Sequence, residues 1–257
     1  LRASFGITGV IPGSSYMSLL RYDYDTSYGN YVDANGVWSP SLSPISNANP
    51  DLRWEKSTEY NIGLDLGFFG NRLYANIDLY NKVTSDMLWE YSVPVPPNLY
   101  GYTTANVGSM SNQGIEVLIG GSPIQTKNFE WNSTLTLAHN RNKLLNMSND
   151  LYETENYLDG GWTEEPTSMV TQRTYIGDAI GSFYMLKSVG VVESGPQKGL
   201  WLIEDPETGE AVPFDSGMRN YDSRFRQYCG SALPKLTMGW SNTLRFYGVD
   251  VTMSFSG

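Results

Sequence analysis

Hydrophobic and polar residues alternate with period two along much of this chain, the repeat of an extended strand whose successive side chains point to opposite faces. Leu1, Ala3, Phe5 and Ile7 share one phase while Arg2, Ser4, Gly6 and Thr8 share the other. Tyr60, Ile62, Leu64, Leu66 and Phe68 alternate with Glu59, Asn61, Gly63, Asp65 and Gly67. After a break at Gly70-Asn71, Leu73, Ala75, Ile77 and Leu79 alternate with Arg72, Tyr74, Asn76, Asp78 and Tyr80, which predicts a hairpin with a tight turn. The pattern returns in Ile115, Val117 and Ile119, and in Phe129, Trp131, Leu135 and Leu137. It recurs in Leu236, Met238, Trp240, Leu244 and Phe246 and, past a Tyr247-Gly248 turn, in Val249, Val251, Met253 and Phe255. An all-β chain is expected, with seven long strands beginning at Leu1, Glu55, Arg72, Val107, Phe129, Lys235 and Val249.

Alternation alone does not separate a soluble sandwich from a membrane wall. Length and the asymmetry of the connections do. A membrane-crossing strand needs about 9 to 11 tilted residues, more than the usual strand of a globular sheet, and the segments from Glu55 to Phe68 and from Arg72 to Leu88 are long enough. Short connections (GN, SPIQTKN, YG) alternate with long ones (Gly9 to Leu52, Trp89 to Asn106, Asn146 to about Pro234), as in barrels with short periplasmic turns and long extracellular loops. The stretch Gly181 to Val192 also reads as extended and is assigned to strands inside a folded outer loop. Asp65 and Asp78 fall in the polar phase, which keeps their charge away from lipid. Trp54, Tyr60, Phe68, Phe69, Trp89 and Tyr91 lie near strand ends, where an interfacial aromatic girdle would place them.

Composition narrows the classes further. The 18 Tyr and 26 Gly suit strands and turns, and the net charge of −10 sets nucleic acid aside as a partner. The single cysteine excludes an internal disulfide framework and a multi-cysteine metal site. LRASFGITG at the start has the form of a strand and not of a signal peptide, and no run approaches the roughly 18 to 20 apolar residues of a spanning helix.

Candidate chemistry is sparse, so no enzyme, catalytic residue, cofactor or metal is assigned. His139, the sole histidine, sits in the apolar phase of the Phe129 strand, and Cys229 follows Arg226 and Tyr228 in an expected loop. Asp23, Asp25 and Ser27 resemble the start of a calcium loop, but Tyr28 stands where that turn needs glycine. The acidic residues Asp150, Glu153, Glu155, Asp159, Glu164 and Glu165 read as a solvated face. The Asn132 and Asn146 sequons are assigned no role.

The segment NPDLRWEKSTEYNIGLDLGFFGNRLYANIDLYNKVTSDML, Asn49 to Leu88, closely resembles a barrel hairpin of the SusC/RagA family of TonB-dependent transporters. NVGSMSNQGIEVLIGG, Asn106 to Gly121, resembles that family's next strand, and LRASFGITG, IGDAIGSFYMLKSVGVV and LPKLTMGWSNTLRFYGVDVTMSFSG follow in the family's order. The resemblance implies a 22-stranded transmembrane barrel, plugged by an N-terminal domain, energised by TonB, lidded by a SusD-like surface lipoprotein and embedded in outer-membrane lipid. It further implies import of oligosaccharides or oligopeptides.

On this reading residues 1–257 form part of the barrel domain, with the plug and the final strand outside the chain. The first and last strands then hydrogen-bond to the remainder of the barrel, because a bare strand edge in lipid costs several kcal/mol per unpaired group. IEDPETGEAVPFD replaces the acidic DxNGDG-like turn of many members, so no calcium is assigned there. Tyr91, Tyr100, Tyr102, Tyr157, Trp162, Trp201 and Tyr221 are the aromatic candidates for substrate contact. The competing readings are a secreted carbohydrate-binding β-sandwich and a glycan-cleaving β-enzyme with two carboxylates in one cleft.

Overall fold

The computed structural model describes residues 1–164, 169–220 and 223–257, with residues 25–29 described by their backbone. Sixteen strands account for nearly all its regular structure: β1 (Arg2–Val10), β2 (Arg21–Val32), β3 (Trp38–Ser46), β4 (Glu55–Phe68), β5 (Leu73–Ser92), β6 (Tyr102–Gln125), β7 (Phe129–Asn146), β8 (Tyr157–Trp162), β9 (Val170–Tyr175), β10 (Ser182–Leu186), β11 (Ser188–Val191), β12 (Trp201–Glu204), β13 (Ala211–Pro213), β14 (Arg226–Ser231), β15 (Thr237–Phe246) and β16 (Val249–Ser256). The one helical element among the described residues is a 3-10 turn, Ser216–Arg219.

Seven strands form one antiparallel sheet in the order β1-β4-β5-β6-β7-β15-β16. These are the seven strands that the alternation predicts. At one end the connections are tight. Phe69 to Arg72 joins β4 to β5, Thr126 to Asn128 joins β6 to β7, and Tyr247-Gly248 joins β15 to β16. Both residues of the last turn have positive φ (47° and 85°), as a two-residue hairpin of the right-handed twist requires. The SPIQTKN segment is a shorter turn than expected, since β6 continues through Gln125. At the other end, β2 pairs with β3, β8 to β10 join β14 in a four-stranded sheet, and β11 to β13 form a three-stranded one. Gly181 to Val192 therefore contributes β10 and β11 to folded outer loops and adds nothing to the wall.

The register carries the apolar phase across the wall without a break. Leu64 faces Ile77, which faces Val117, Leu137 and then Met238. One row nearer the turns, Leu66, Ala75, Ile119, Leu135, Trp240 and Phe255 align in the same way. Leu64 is 39 % exposed, and Ile77 and Val117 are only half-buried. The sandwich alternative needs these three side chains sealed in an interior, so this geometry removes it. From Tyr60 to Phe68 the apolar phase of β4 runs eight residue steps, about 27 Å along the strand and about 20 Å after a tilt near 40°, which suits a hydrocarbon band about 25 Å tall.

Two polar residues interrupt the apolar phase, and each is satisfied from a neighbouring strand. Asn242 Oδ1 accepts from Trp131 Nε1 at 3.0 Å, and Ser133 Oγ accepts from Trp240 Nε1 at 3.0 Å. Both pairs give polar atoms a partner on the face that the alternation assigns to lipid. On the opposite face Tyr80 lies over Gly114 and Tyr74 over Gly120, so closely that a Cβ at either glycine would collide with the ring.

β5 and β6, 20 and 24 residues long, project well beyond the membrane requirement. Two register shifts mark the transition, between Thr84 and Met87 and between Met87 and Leu88. Side chains replace the ladder bonds lost there. Glu55 Oε1 accepts from the Leu88 N–H, Asn106 Nδ2 donates to the Arg53 and Asp86 carbonyls, and Arg53 pairs with Asp86 at 2.7 Å. Beyond the shifts Met87, Trp89 and Tyr91 turn toward the side on which Leu144 lies, and with it line one cavity. Trp89 and Tyr91 consequently join the outer cap and not the expected girdle. Among the described residues the buried apolar side chains are Tyr91, Ala105, Val107, Leu144, Met147, Val170, Ile203 and Met218, all at this outer end, while the seven-stranded wall has no conventional core.

Candidate functional site

Two surfaces can meet a solute: the polar face of the wall and the outer cap. On the wall, Arg2 holds Asp65 at 2.8 Å and Asp78 at 3.0 Å, and Asn76 Nδ2 donates to Asp65 at 2.5 Å. These groups border a cleft of about 580 Å³ together with Glu116. Nearer the turns Arg245 pairs with Asp250 at 2.8 Å and reaches Glu130 at 3.6 Å. All these pairs lie in the polar phase and are partly exposed, so each contributes little to stability and chiefly sets the charge pattern of a water-facing surface.

The cap is ordered by two buried arginines, of which Arg226 on β14 donates to the Val170 and Tyr184 carbonyls. Arg173 on β9 forks onto Asp159 of β8 at 2.7 and 2.8 Å and stacks 3.8 Å over the Tyr157 ring. Tyr175, Tyr184 and Tyr228 complete the cluster, with centroid separations of 5.7 Å between Tyr184 and Tyr228 and 6.4 Å from Tyr175 to each of them. The Tyr228 hydroxyl donates to Asp178 Oδ2 at 2.6 Å. Burial, then the Asp178 carboxylate, raises the Tyr228 pKa, while a hydrogen bond to Glu155, then burial, raises that of Tyr157 to about 12. Between this cap and the wall lies an apolar cavity of about 220 Å³, lined by Trp89, Tyr91, Leu144, Met147, Leu158 and others. Period-two reading could not find this cluster, because β8, β9, β10 and β14 have only five or six residues each.

The aromatic candidates fall into separate places. Tyr91, expected on a loop, is on β5, 2 % exposed, with its hydroxyl donating to the Met147 carbonyl at 2.9 Å and its ring against Tyr152 at 5.3 Å. That placement makes it a packing residue. Tyr100 and Tyr102, 6.1 Å apart, are exposed at the β5–β6 tip. The buried Asn47 holds that tip, donating to both their carbonyls at 2.6 and 2.8 Å and accepting from the Leu99 and Tyr100 N–H groups. Trp162 ends β8 and Trp201 begins β12, both well exposed, and Trp201 lies 6.1 Å from Phe214. Tyr221 and Glu165 lie outside the described residues, as do the side chains of Asp25, Ser27 and Tyr28.

The remaining chemical candidates are held by neighbours. His139 Nδ1 contacts the Lys235 carbonyl at 2.5 Å. Cys229 lies on β14 and not in a loop, exposed at a register shift, with Sγ 3.5 Å from the Met185 carbonyl. In the segment IEDPETGEAVPFD, Asp205 and Glu207 are both bound by Arg224, at 2.7 and 3.1 Å, so a guanidinium supplies the positive charge at that turn.

The family described as TonB dependent receptor-like, beta-barrel matches residues 14–193. The chain belongs to this family of outer-membrane β-barrels. Similar proteins include TonB-dependent receptor P3 of Formosa agariphila, 29 % identical over 99 % of this chain and 25 % of that protein. TonB-dependent receptor SusC of Bacteroides thetaiotaomicron is 32 % identical over 74 % of this chain and 19 % of that protein. Among solved structures, the RagAB peptide importer in its closed-closed state superposes with a TM-score of 0.72 at 25 % identity, over 99 % of this chain and 26 % of that one. The chain thus spans about a quarter of the length of these relatives. As a portion of a SusC/RagA-like barrel it has an orientation: the apolar phase faces lipid, the polar phase faces the lumen, and the tight turns are periplasmic.

Proposed function

We propose that the protein containing this chain is an energised importer that carries oligosaccharides or oligopeptides across the bacterial outer membrane, with residues 1–257 supplying part of the barrel wall and its outer cap. The observation that carries the reading is the seven-stranded wall, apolar and exposed on one face and polar on the other, with loops folded into sheets at one end only. Strands beyond β1 and β16 close the barrel in this reading, and a plug domain lying outside these residues couples it to TonB. A SusD-like surface lipoprotein covers the outer loops. The chain performs no covalent chemistry.

Substrate contact is assigned to the exposed aromatics Tyr100, Tyr102, Trp162 and Trp201, to the exposed part of Tyr157, and to Tyr221, through ring stacking on sugars or hydrogen bonds to peptide backbone. The likeness to an importer described as a peptide transporter favours oligopeptides. Cells carrying or lacking the full-length receptor should be compared for uptake of labelled oligopeptides and neutral oligosaccharides, with and without a protonophore. Receptor-dependent uptake of one class that a protonophore abolishes is expected. Uptake of both classes unchanged by deletion of the receptor would refute the assignment.

A further inference from the structure

The apolar cavity of about 220 Å³ under the cap lies on the lumen side of the wall. Leu144, 1 % exposed, ends the cross-strand row Ser57, Thr84, Met110 and Leu144, which belongs to the polar phase. Trp89 also lines the cavity and is 41 % exposed, so the space is reachable from solvent. On the cap side Leu158 and Gly160 of β8, with their register partners Thr174 and Gln172 of β9, close it. Gly160 is there for space and not for backbone geometry. Its φ lies outside the left-handed region, and a Cβ at this position would meet only Gln172 Oε1, at 3.9 Å.

These features choose between the two classes of solute. An apolar cavity of about 150 Å³ holds a benzene ring, so this one admits a Leu, Phe or Trp side chain. A sugar ring in the same place would bury hydroxyls against Trp89, Leu144, Met147 and Leu158, and each lost hydrogen bond opposes entry. The Tyr91 hydroxyl is already engaged by the Met147 carbonyl, and the Asp159 carboxylate by Arg173. β8 is the last strand of its four-stranded sheet, so its outer edge presents backbone groups to an extended chain. The segment entering β8 carries Asp150, Glu153 and Glu155, none of them in an ion pair among the described residues, which complements a cation.

We infer that this cavity is a specificity pocket, which takes a large apolar side chain of an oligopeptide whose neighbouring residue is basic, while the peptide backbone runs along β8. The inference rests on the importer reading and narrows its substrate class. Trp89 and Leu158 set the size of side chain accepted, and Gly160 keeps the pocket open.

The test measures by calorimetry the affinity of the full-length receptor, co-purified with its proposed surface lipoprotein, for the hexapeptides Gly-Gly-Xaa-Lys-Gly-Gly, with Xaa Ala, Leu, Phe or Trp, and for a neutral hexasaccharide. Affinity should rise roughly 10- to 100-fold from Ala to Phe, the gain from burying one such side chain, and fall when Lys is replaced by Glu. Gly160→Val should fold as wild type and erase that gain. Leu158→Ala should move the optimum from Phe toward Trp, and it carries the test alone if Gly160→Val does not fold. Equal affinity for the Ala and Phe peptides or for the Lys and Glu peptides, a ranking unchanged in either folded variant, or hexasaccharide bound as tightly as the Phe peptide would overturn the inference. So would a Gly160→Val receptor that keeps its preference for Phe but releases the lipoprotein, since the pocket would then seat the lid. Uptake of the same peptides is scored in parallel with and without a protonophore. Receptor-dependent uptake that ignores Xaa sinks the pocket alone, whereas the lack of any receptor-dependent uptake sinks the importer reading.

Discussion

Placing one charge on either face of the wall separates a membrane barrel from any water-soluble β-architecture. Leu64 lies in the middle of the apolar band, in a row continued by Ile77, Val117, Leu137 and Met238, and is 39 % exposed. Leu64→Arg therefore puts a guanidinium into hydrocarbon near mid-depth, at a cost of about 2 to 4 kcal/mol. With each 1.4 kcal/mol equal to a factor of ten, the folding equilibrium shifts roughly 30- to 700-fold. The matched control is Asn76→Arg, on the neighbouring strand but in the polar phase, where the residue already donates to Asp65. There the new cation meets water and a carboxylate, and a change within about 0.5 kcal/mol is expected. Both variants of the full-length receptor are refolded into lipid vesicles and titrated with denaturant, wild type alongside. Equal destabilisation of the two, or a smaller effect at Leu64, refutes the assignment of faces.

Further outcomes follow from single features. Asn106→Ala removes the side-chain bonds that bridge the register shift and should cost about 1 to 3 kcal/mol, read as faster hydrogen exchange around Arg53 and Asp86. Gly248→Ala, at φ 85°, should destabilise the β15–β16 hairpin by about 1 kcal/mol in the same denaturant titration. Arg173→Lys keeps the charge but loses the fork onto Asp159 and the stacking on Tyr157, so limited proteolysis should cut the cap sooner while the wall stays intact. The Tyr157 hydroxyl, hydrogen-bonded to Glu155, should ionise near pH 12 and not near its ordinary value of about 10, seen in the tyrosinate spectrum of wild type minus Tyr157→Phe. Because the raised pKa favours the neutral form in the fold, its contribution to cap stability is complete below about pH 10 and is lost as pH rises toward 12.

The wall was legible in the residues because lipid on one side and water on the other impose opposite chemistry on adjacent positions. The rows through Leu64 and Leu66 are direct readouts of that rule. Where tertiary neighbours substitute for the medium, legibility stops. Asn242 and Ser133 break the alternation because tryptophans on adjacent strands satisfy them. The pair of shifts near Met87 is silent in a periodic pattern, yet it carries Tyr91 from an expected contact surface into the packing of the cap. Short strands such as β8 and β12 offer too few residues for a period to emerge, so the cluster around Arg173 depends on long-range pairing that only the folded chain displays.

The most direct test of the central claim is collision accessibility of nitroxides attached to single cysteines at Ile62, Gly63, Leu64, Asp65 and Leu66, in a Cys229→Ser background of the full-length receptor in bilayers. Relaxation by oxygen should dominate at Ile62, Leu64 and Leu66, and relaxation by a water-soluble paramagnet at Gly63 and Asp65, switching at every residue. A profile without that alternation, or water access at Leu64, would contradict the account.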